Sequence, residues 1–450
     1  MIEPLRNLAA LLRAQYAFVK MGFLLTLVLV LLIPLDLIGG LIAERMARRD
    51  AVLTEIGRTW GAPQTLSGPV LVVPYRYTVE STRWDNSEPV EVAGNAYFLP
   101  DELRVEARAE PETRYRGLFD ATVYRASLRV GGRFGALDLE ALDLDKDKML
   151  WDEAVLALGV TDLRGTTGEP FVTWNGTPTA FQPGTGRVPW QNGIEAPIGL
   201  DPAREDPAEF EFELAIAGSE NLSFTPGGKT TSVSVASAWP HPSFDGAYLP
   251  AERKIGDDGF SARWTLSYLG RGFPQSWTSH GESLARLSER FAASRFGVSL
   301  VTPVDFYLLS ERSIKHGALF IVLIFAAIFL FEIMAPLKIH IVQYALVGFA
   351  LCLFYLLLLS LAEIVGFAPA YGIAAAASAA LITLYMAKIL ASLRRAAPIA
   401  GLLGAVYLYL YIVLQLENLA LVTGALGLFV ALAAVMYATR NVNWYALKRA

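Results

Sequence analysis

Residues 21–35, MGFLLTLVLVLLIPL, form an unbroken run of fifteen residues without a charged side chain. Apolar residues extend this run to about 17–42, which is long enough for one helix to cross the hydrocarbon core of a membrane. The sequence therefore predicts a first transmembrane helix over 17–42, preceded by a cytoplasmic N-terminus over 1–16.

A cleaved signal peptide is the alternative interpretation of this run. Arg6, Arg13 and Lys20 provide the basic segment that such a peptide carries. The run is long, however, and no clear A-x-A cleavage site precedes Glu44, so we expect a retained membrane anchor.

Five further apolar stretches occupy the last third of the chain and are separated by short gaps. They cover about 317–335, 341–364, 368–390, 399–416 and 419–437. Short gaps place such helices next to one another in antiparallel pairs, so we predict a five-helix transmembrane bundle over 317–437. With the first span, this gives an α-helical membrane protein of six transmembrane helices.

The charges of the chain divide between two regions. Residues 44–316 contain 28 Lys and Arg against 38 Asp and Glu, a net charge of −10, whereas the remainder contains 10 and 5, a net charge of +5. An acidic domain is a poor nucleic-acid binder, because phosphate contacts require an excess of Lys and Arg. We therefore expect the lipid bilayer as a partner and no nucleic acid.

The orientation of the helices follows from Lys and Arg in the short segments. Two short loops, near 363–370 and 417–418, contain neither residue. The basic residues fall in the segments on the opposite side: Arg6, Arg13, Lys20, Lys338, Lys388, Arg394, Arg395, Arg440, Lys448 and Arg449. This bias predicts that both termini are cytoplasmic, with a C-terminal tail over 438–450, and that residues 43–316 lie in the periplasm.

The region 43–316 changes from helical to strand periodicity after a short helix over 44–60. Four segments alternate strictly between apolar and polar residues, at 103–110, 124–130, 209–216 and 260–268. Such alternation indicates strands with one buried and one solvent-exposed face, which is typical of antiparallel sheets. We predict a large antiparallel β-rich external domain, either a sandwich or two packed subdomains, with one helix over 283–296.

Motifs for catalysis in this domain are incomplete. The run GGKT at 227–230 lacks the first glycine of a phosphate-binding loop, and we interpret it as a hairpin turn. Ser261 follows a glycine as in a nucleophile elbow, but the closing glycine is Arg263, so Ser261 is expected on a solvent face. His241 lies in the proline-rich loop WPHPSF with Trp239 and Phe244, and no second histidine is at ligand spacing.

We therefore predict no catalytic residue, metal or cofactor, and no enzyme activity. The loop residues Trp239, His241 and Phe244 are candidates for binding instead. A periplasmic hydrolase that uses His241 is the least favoured hypothesis.

Carboxylates near the span ends are the other candidate functional residues, because ionisable groups at membrane depth are costly. Asp36, Glu363 and Glu417 fall at outer helix ends, and Glu332 falls at an inner end. One interpretation pairs them with neighbouring bases, either Arg45, Arg312 and Lys315 outside or Lys338 and Arg440 inside. The other is an acidic ring that handles a cation or proton.

Tyrosines near the span ends, among them Tyr344 and Tyr371, fit an interfacial aromatic belt. Three more, Tyr407, Tyr409 and Tyr411, fall inside one predicted span. Their hydroxyl groups need partners if they are buried, so they are candidates to line a polar crevice between helices.

Several strings of the sequence resemble the bacterial inner-membrane protein family CreD. They are LSGPVLVVP (66–74), YFLP (97–100), YRGLF (115–119), WPHPSF (239–244), VDFY (304–307), FYLLLLS (354–360), LQLE (414–417), and TRN (439–441) with WY at 444–445. One departure is Asn443, where the family pattern has Asp. The resemblance implies a role in cell-envelope integrity and in the response to envelope stress, including β-lactams, and it supplies no catalytic residues.

Two functional hypotheses follow. The first is a non-enzymatic inner-membrane protein that supports envelope integrity, with a periplasmic domain that binds a periplasmic or membrane protein or a lipid. The second is a transporter or lipid handler that uses the outer carboxylates and a crevice in the helix bundle. The sequence leaves the oligomeric state open.

Overall fold

The structure is a computed structural model. It describes residues 3–79, 90–166, 168–184, 188–190, 192–202, 207–281, 283–301, 305–334, 339–416 and 419–440. The chain divides into a helical unit, Met1–Arg49 with Val304–Ala450, and a β-rich unit, Asp50–Pro303.

The described helices have the following bounds: α1 Glu3–Trp60, α2 Leu284–Ala293, α3 Phe306–Lys315, α4 Gly317–Met334, α5 Ile341–Val365, α6 Phe367–Ile389, α7 Leu393–Gln415 and α8 Ala420–Thr439. Among them, α1 from Val19 onward, α5, α6 and α7 are long and apolar enough to cross a membrane. The pair α3 and α4 gives a fifth span if it is taken as one element, with a bend of 46°. In α8 the described apolar run, Val422–Tyr437, is shorter, so the described chain supports four or five spans and the sixth stays a prediction.

Two features of the helices differ from expectation. The first span and the helix expected over 44–60 form one continuous helix, α1. Residues 306–315, expected in the external domain, form α3 and belong to the helical unit. Asp305 starts α3 because its carboxylate accepts hydrogen bonds from the backbone N–H groups of Tyr307 and Leu308, which have no partner within the helix.

The strands of the β-rich unit have the following bounds: β1 Gln64–Val79, β2 Val90–Phe98, β3 Glu102–Arg116, β4 Phe119–Phe134, β5 Val155–Val160, β6 Phe171–Trp174, β7 Thr177–Ala180, β8 Gln182–Pro183, β9 Gly193–Pro197, β10 Ala208–Ser219, β11 Asn221–Phe224, β12 Thr230–Ser237, β13 Pro242–Gly246, β14 Glu252–Gly256, β15 Gly259–Ser267, β16 Ser276–Thr278 and β17 Phe296–Leu300. As far as the chain is described, they form two sheets. The first has the order β13-β17-β11-β1-β5-β9-β8; β2 also pairs with β1, and β16 pairs with β2. The second has the order β14-β15-β12-β3-β4-β10-β6-β7.

The predicted alternation is confirmed in β3, β4, β10 and β15. In β3, for example, Leu103, Val105, Ala107 and Ala109 are buried while the residues between them are exposed. These side chains and those of the first sheet form one continuous apolar core. The helix predicted over 283–296 is α2, whose buried Leu287 and Phe291 cover the other face of the first sheet together with Phe273 and Trp277.

The antiparallel prediction is wrong for two strand pairs. β1 pairs with β11, and β3 pairs with β12, in parallel. The cause is the connection between β11 and β12, which passes from the first sheet to the second. The run GGKT at 227–230 lies in this connection and is therefore not a hairpin turn.

A buried arginine holds this crossover. The guanidinium of Arg271 donates hydrogen bonds from Nη1 to the carbonyl oxygens of Pro226, Gly227 and Gly228, at 3.1–3.3 Å. Its other N–H groups bond to the carbonyl oxygens of residues 273 and 274 and to the side chain of Gln275. Burial lowers the pKa of Arg271 to about 10, so the group remains charged at neutral pH.

Candidate functional site

The outer face of the second sheet forms an open trough with a volume of about 1030 Å³. Two rows of outward-facing side chains run across its floor from β14 to β10. The charged row contains Glu252, Arg263, Ser234, Glu106, Arg129 and Glu213. The small row, so called for its Ser and Ala residues, contains Lys254, Ser261, Ala236, Arg108, Ser127 and Ala215. With strands about 4.8 Å apart, each row is about 24 Å long.

An ion pair forms at each end of the charged row. Arg129 lies 2.7 Å from Glu213, and Arg263 lies 3.8 Å from Glu252. These pairs are exposed and add little to stability, but they fix a pattern of alternating charge on the trough floor. A ligand with charges of both signs complements such a pattern.

Arg108 stands in the centre of the small row, between Ser127 on β4 and Ala236 on β12. It is exposed and has no ion-pair or hydrogen-bond partner among the described residues. Its short neighbours leave the guanidinium accessible. The strand alternation of the sequence already placed Arg108 on the polar face, but only the sheet order brings it beside these small residues.

The floor of the trough carries charged and small side chains, and the apolar inner faces of the two sheets are closed against each other. The large side chains between the sheets, such as Trp264, Tyr124 and Phe224, are almost completely buried. An exposed apolar side chain, Phe171, stands at the β6 rim of the trough. The described part of the β-rich unit therefore presents an open surface with charged side chains, and its apolar side chains between the sheets are closed off from solvent.

The segment WPHPSF lies at the edge of the first sheet. Residues 242–246 form the edge strand β13, not the loop that the prolines predicted, because β13 pairs with β17. His241 is exposed, Phe244 packs edge-on against Phe260 and Trp264, and the indole of Trp239 donates to the carbonyl oxygen of Val301 at 3.1 Å. Trp239 and Phe244 therefore anchor this edge, and His241 faces solvent.

Glu332 forms a buried ion pair with Lys20, a partner that the sequence did not indicate. The ammonium of Lys20 lies 2.5 Å and 2.7 Å from the two carboxylate oxygens of Glu332, and it also donates to the carbonyl oxygen of Ile339. The hydroxyl of Tyr344 donates to Glu332 at 2.9 Å. Both charges are satisfied, and the cluster fastens α1 to α4 and to the start of α5.

Glu363 forms a second cluster at the other end of α5. The hydroxyl of Tyr307 donates to Glu363 at 3.0 Å, and Arg45 approaches it at 3.6 Å. Arg49 and Asp305, which are close in sequence to Arg45 and Tyr307, form a further ion pair at 2.5 Å. The predicted pairing of an outer carboxylate with Arg45 is therefore confirmed for Glu363.

The remaining membrane candidates are not brought together. Asp36 is exposed on α1 and has no partner among the described residues. Arg440 lies over the ring of Tyr437 at 4.0 Å and is not the partner of Glu332. Glu417 lies outside the described residues. An acidic ring of Asp36, Glu363 and Glu417 thus stays a prediction.

Two tyrosines of the helical unit form hydrogen bonds between α6 and α7. Tyr371 donates to the carbonyl oxygen of Tyr407 at 2.6 Å, and Tyr407 donates to Ser378 at 2.9 Å. Tyr344 and Tyr371 are buried among the helices, and their place in an interfacial belt stays a prediction. The space beside Tyr407, between α4, α5 and α7, measures about 10 Å³, which holds about one water molecule.

Within the described part of the chain, no group of three or more His, Cys, Asp or Glu side chains could hold a metal ion. Cys352 is buried in α5. We assign no site residue to metal binding.

Apolar spans, buried charge clusters within a helical unit and a separate two-sheet unit define a multi-pass membrane protein with a large β-rich domain. The chain belongs to the CreD family, because the family model described as inner membrane protein CreD matches residues 16–445. The inner membrane protein CreD of Escherichia coli (strain K12) is 32% identical over 431 residues, which cover 95% of this chain and 94% of that protein. This chain is accordingly an inner-membrane protein.

A solved structure, that of the M1 zinc metallopeptidase from Deinococcus radiodurans, aligns with 37% of this chain and 38% of its own at 12% identity. The TM-score of that alignment is 0.18, and no conclusion about fold or activity follows from it.

Proposed function

We propose that this chain is a non-enzymatic inner-membrane protein that supports cell-envelope integrity by binding a protein partner in the trough of its β-rich unit. We place that unit in the periplasm and both termini in the cytoplasm, because the short segments on one side carry all the Lys and Arg. The envelope role comes from the family. The binding role is supported by one observation, the charged trough with the accessible Arg108.

The chemistry of the trough favours a polypeptide partner over a lipid chain. A lipid chain needs a continuous apolar lining, whereas the floor here alternates Glu and Arg side chains beside Ser and Ala. The Ser and Ala positions of the small row leave room for a backbone beside the charged row, whose length of about 24 Å matches an extended segment of about seven residues. The charged row offers charges of both signs to the side chains of such a segment, and Arg108 offers a cation that has no partner among the described residues.

The test is complementation of a deletion strain under envelope stress, with variants at the trough floor. Arg108→Glu reverses the accessible charge, and Ala236→Trp fills the floor; both positions are exposed, so neither change disturbs the core. Matched controls outside the trough are Lys148→Glu and Ala141→Trp, which are also exposed.

We expect both trough variants to be present at normal levels and to lose complementation, while both controls restore growth and morphology. Full complementation by Arg108→Glu and Ala236→Trp would rule out the trough as the functional surface. A deletion strain with normal morphology and antibiotic tolerance under stress would count against the envelope role itself.

The transporter or lipid-handler hypothesis stays a prediction with its own test. Asp36→Asn, Glu363→Gln and Glu417→Gln together remove the three predicted outer charges. If the triple variant complements fully, an ion-coupled mechanism through these carboxylates is excluded.

A further inference from the structure

The depth of Asp36 in the helical unit can be measured against its neighbours. The two charge clusters on α5, at Tyr344 and Glu363, are separated by about 28 Å along the helix axis, close to the thickness of a hydrocarbon core. Leu35 lies at the level of Tyr355, since a Cβ built on Gly317 would contact both side chains at 3.0–3.4 Å. Tyr355 is about 12 Å before Glu363 along α5, so Asp36 lies about 10 Å inside the outer cluster.

Asp36 is nevertheless on the outward face of α1. Ile33 and Leu37, on either side of it, are 61% and 69% exposed. The face continues through Gly40, where an added Cβ would meet no atom within 4 Å. A short carboxylate cannot reach the aqueous interface from this depth, and charged groups in spans normally face a partner.

We propose that this face, Asp36 with Ile33, Leu37 and Gly40, docks a transmembrane helix of another protein that carries a Lys or Arg side chain at the same depth. The charge of Asp36 requires a cation, and the glycine lets a helix backbone approach closely. The site is separate from the trough of the β-rich unit and does not depend on the function proposed for it.

A second copy of this chain does not satisfy the same requirement. In a twofold pair, Asp36 meets Asp36, which places like charges together. Two described cations fall within the apolar runs. Lys20 binds Glu332 at the opposite end, and Lys388 lies in the last turn of α6, on the same predicted side as Lys20. The other described basic residues of the helical unit lie beyond these runs: Arg45, Arg48, Arg49, Arg312, Lys315, Arg394, Arg395 and Arg440.

The test uses the full-length protein in phosphatidylcholine vesicles with synthetic membrane-spanning peptides. One peptide is a leucine helix of about 20 residues with a single Lys placed about seven residues from one end, and the other has Leu in place of Lys. Energy transfer between a donor on the protein and an acceptor on the peptide measures association. The lipid is zwitterionic so that the Lys peptide is not retained by anionic headgroups.

We expect the Lys peptide to bind at least about tenfold more tightly than the Leu peptide, which corresponds to a pair worth about 1.4 kcal/mol. Asp36→Asn removes this difference, and Asp36→Lys restores it toward a peptide that carries Asp. Gly40→Leu blocks binding by its bulk. Gly22→Leu is the matched control, because Gly22 is also open, lies on the same face about five turns away and leaves binding unchanged.

Three results would overturn the proposal. They are equal binding of the Lys and Leu peptides to the unsubstituted protein, retention of the difference in Asp36→Asn, and energy transfer between two labelled copies of the protein that depends on Asp36 without any peptide. The charge-reversal pair, Asp36→Lys with the Asp peptide, keeps the test decisive even if Asp36→Asn alone were poorly inserted into the vesicles.

Discussion

Arg271 offers the sharpest stability test of the β-rich unit. Arg271 is 8% exposed. Its guanidinium has no acidic partner among its described contacts and donates hydrogen bonds from all three nitrogens to the crossover loop and its own segment. A buried carbonyl oxygen that loses its donor costs about 1–3 kcal/mol.

Arg271→Met should therefore lower the free energy of unfolding by about 4 kcal/mol. This substitution keeps the approximate volume of the side chain but removes the described donor of the carbonyl oxygens of Pro226 and Gly227, while that of Gly228 still accepts from the hydroxyl of Thr231 at 3.4 Å. Arg271→Lys should lose about half as much, because an ammonium has three donors instead of five. The measurement is urea unfolding of the full-length protein in mild detergent, with tryptophan fluorescence as the signal.

Arg286→Met is the control, since Arg286 is exposed on α2 and should change stability by less than about 0.5 kcal/mol. A loss below about 1 kcal/mol in Arg271→Met, with an unchanged denaturant dependence, would refute the assignment of Arg271 as the group that holds the crossover.

Three further predictions concern single side chains. The pKa of Asp162 is lowered from 3.8 to about 2, chiefly by hydrogen bonds from Arg164, so the stabilisation by Asp162 is present above pH 3.8 and is lost as the pH falls toward 2. Asp162→Asn should lower the free energy of unfolding by about 1 kcal/mol at pH 7, a value reduced because Arg164 is 60% exposed. Unfolding curves of the two proteins should converge in acid. Glu332→Gln leaves the ammonium of Lys20 buried without its counter-charge and should lower the unfolding free energy of the helical unit by about 3 kcal/mol. The double variant Lys20→Met with Glu332→Leu should recover most of this loss. Equal stability of the single and double variants, measured by unfolding in detergent, would contradict this. His241→Ala should complement a deletion strain fully, since His241 is exposed at a sheet edge, and a null phenotype would revive the hydrolase hypothesis.

Membrane segments and strand faces could be predicted because each depends on local periodicity. Long apolar runs must satisfy their backbone groups internally as helices, which identified α1, α5, α6 and α7. Alternation with a period of two placed Leu103 inside and Arg108 outside β3 without any knowledge of its neighbours. The family resemblance was also available from the sequence, through short strings spread along the chain.

The pairing of charges could not be predicted in the same way. Lys20 and Glu332 are 312 residues apart, and Lys20 had the appearance of an ordinary basic residue on the inner side of the first span. Arg271 carried no local signal at all, and the loop that it holds resembled a hairpin turn. Long-range partners depend on which helices and strands become neighbours, and that is a property of packing rather than of sequence spacing.

By itself, the sequence determined that this protein crosses a membrane, that its middle region is built of strands, and which faces of those strands are buried. Only the tertiary structure decided that two strand pairs are parallel, that the carboxylates of Glu332 and Glu363 are paired while Asp36 is exposed, and that Arg108 lies between Ser127 and Ala236 on the floor of a trough. Local features follow from hydrophobicity and backbone geometry, which act over a few residues. Sites follow from contacts between distant segments, whose geometry is set when the whole core closes.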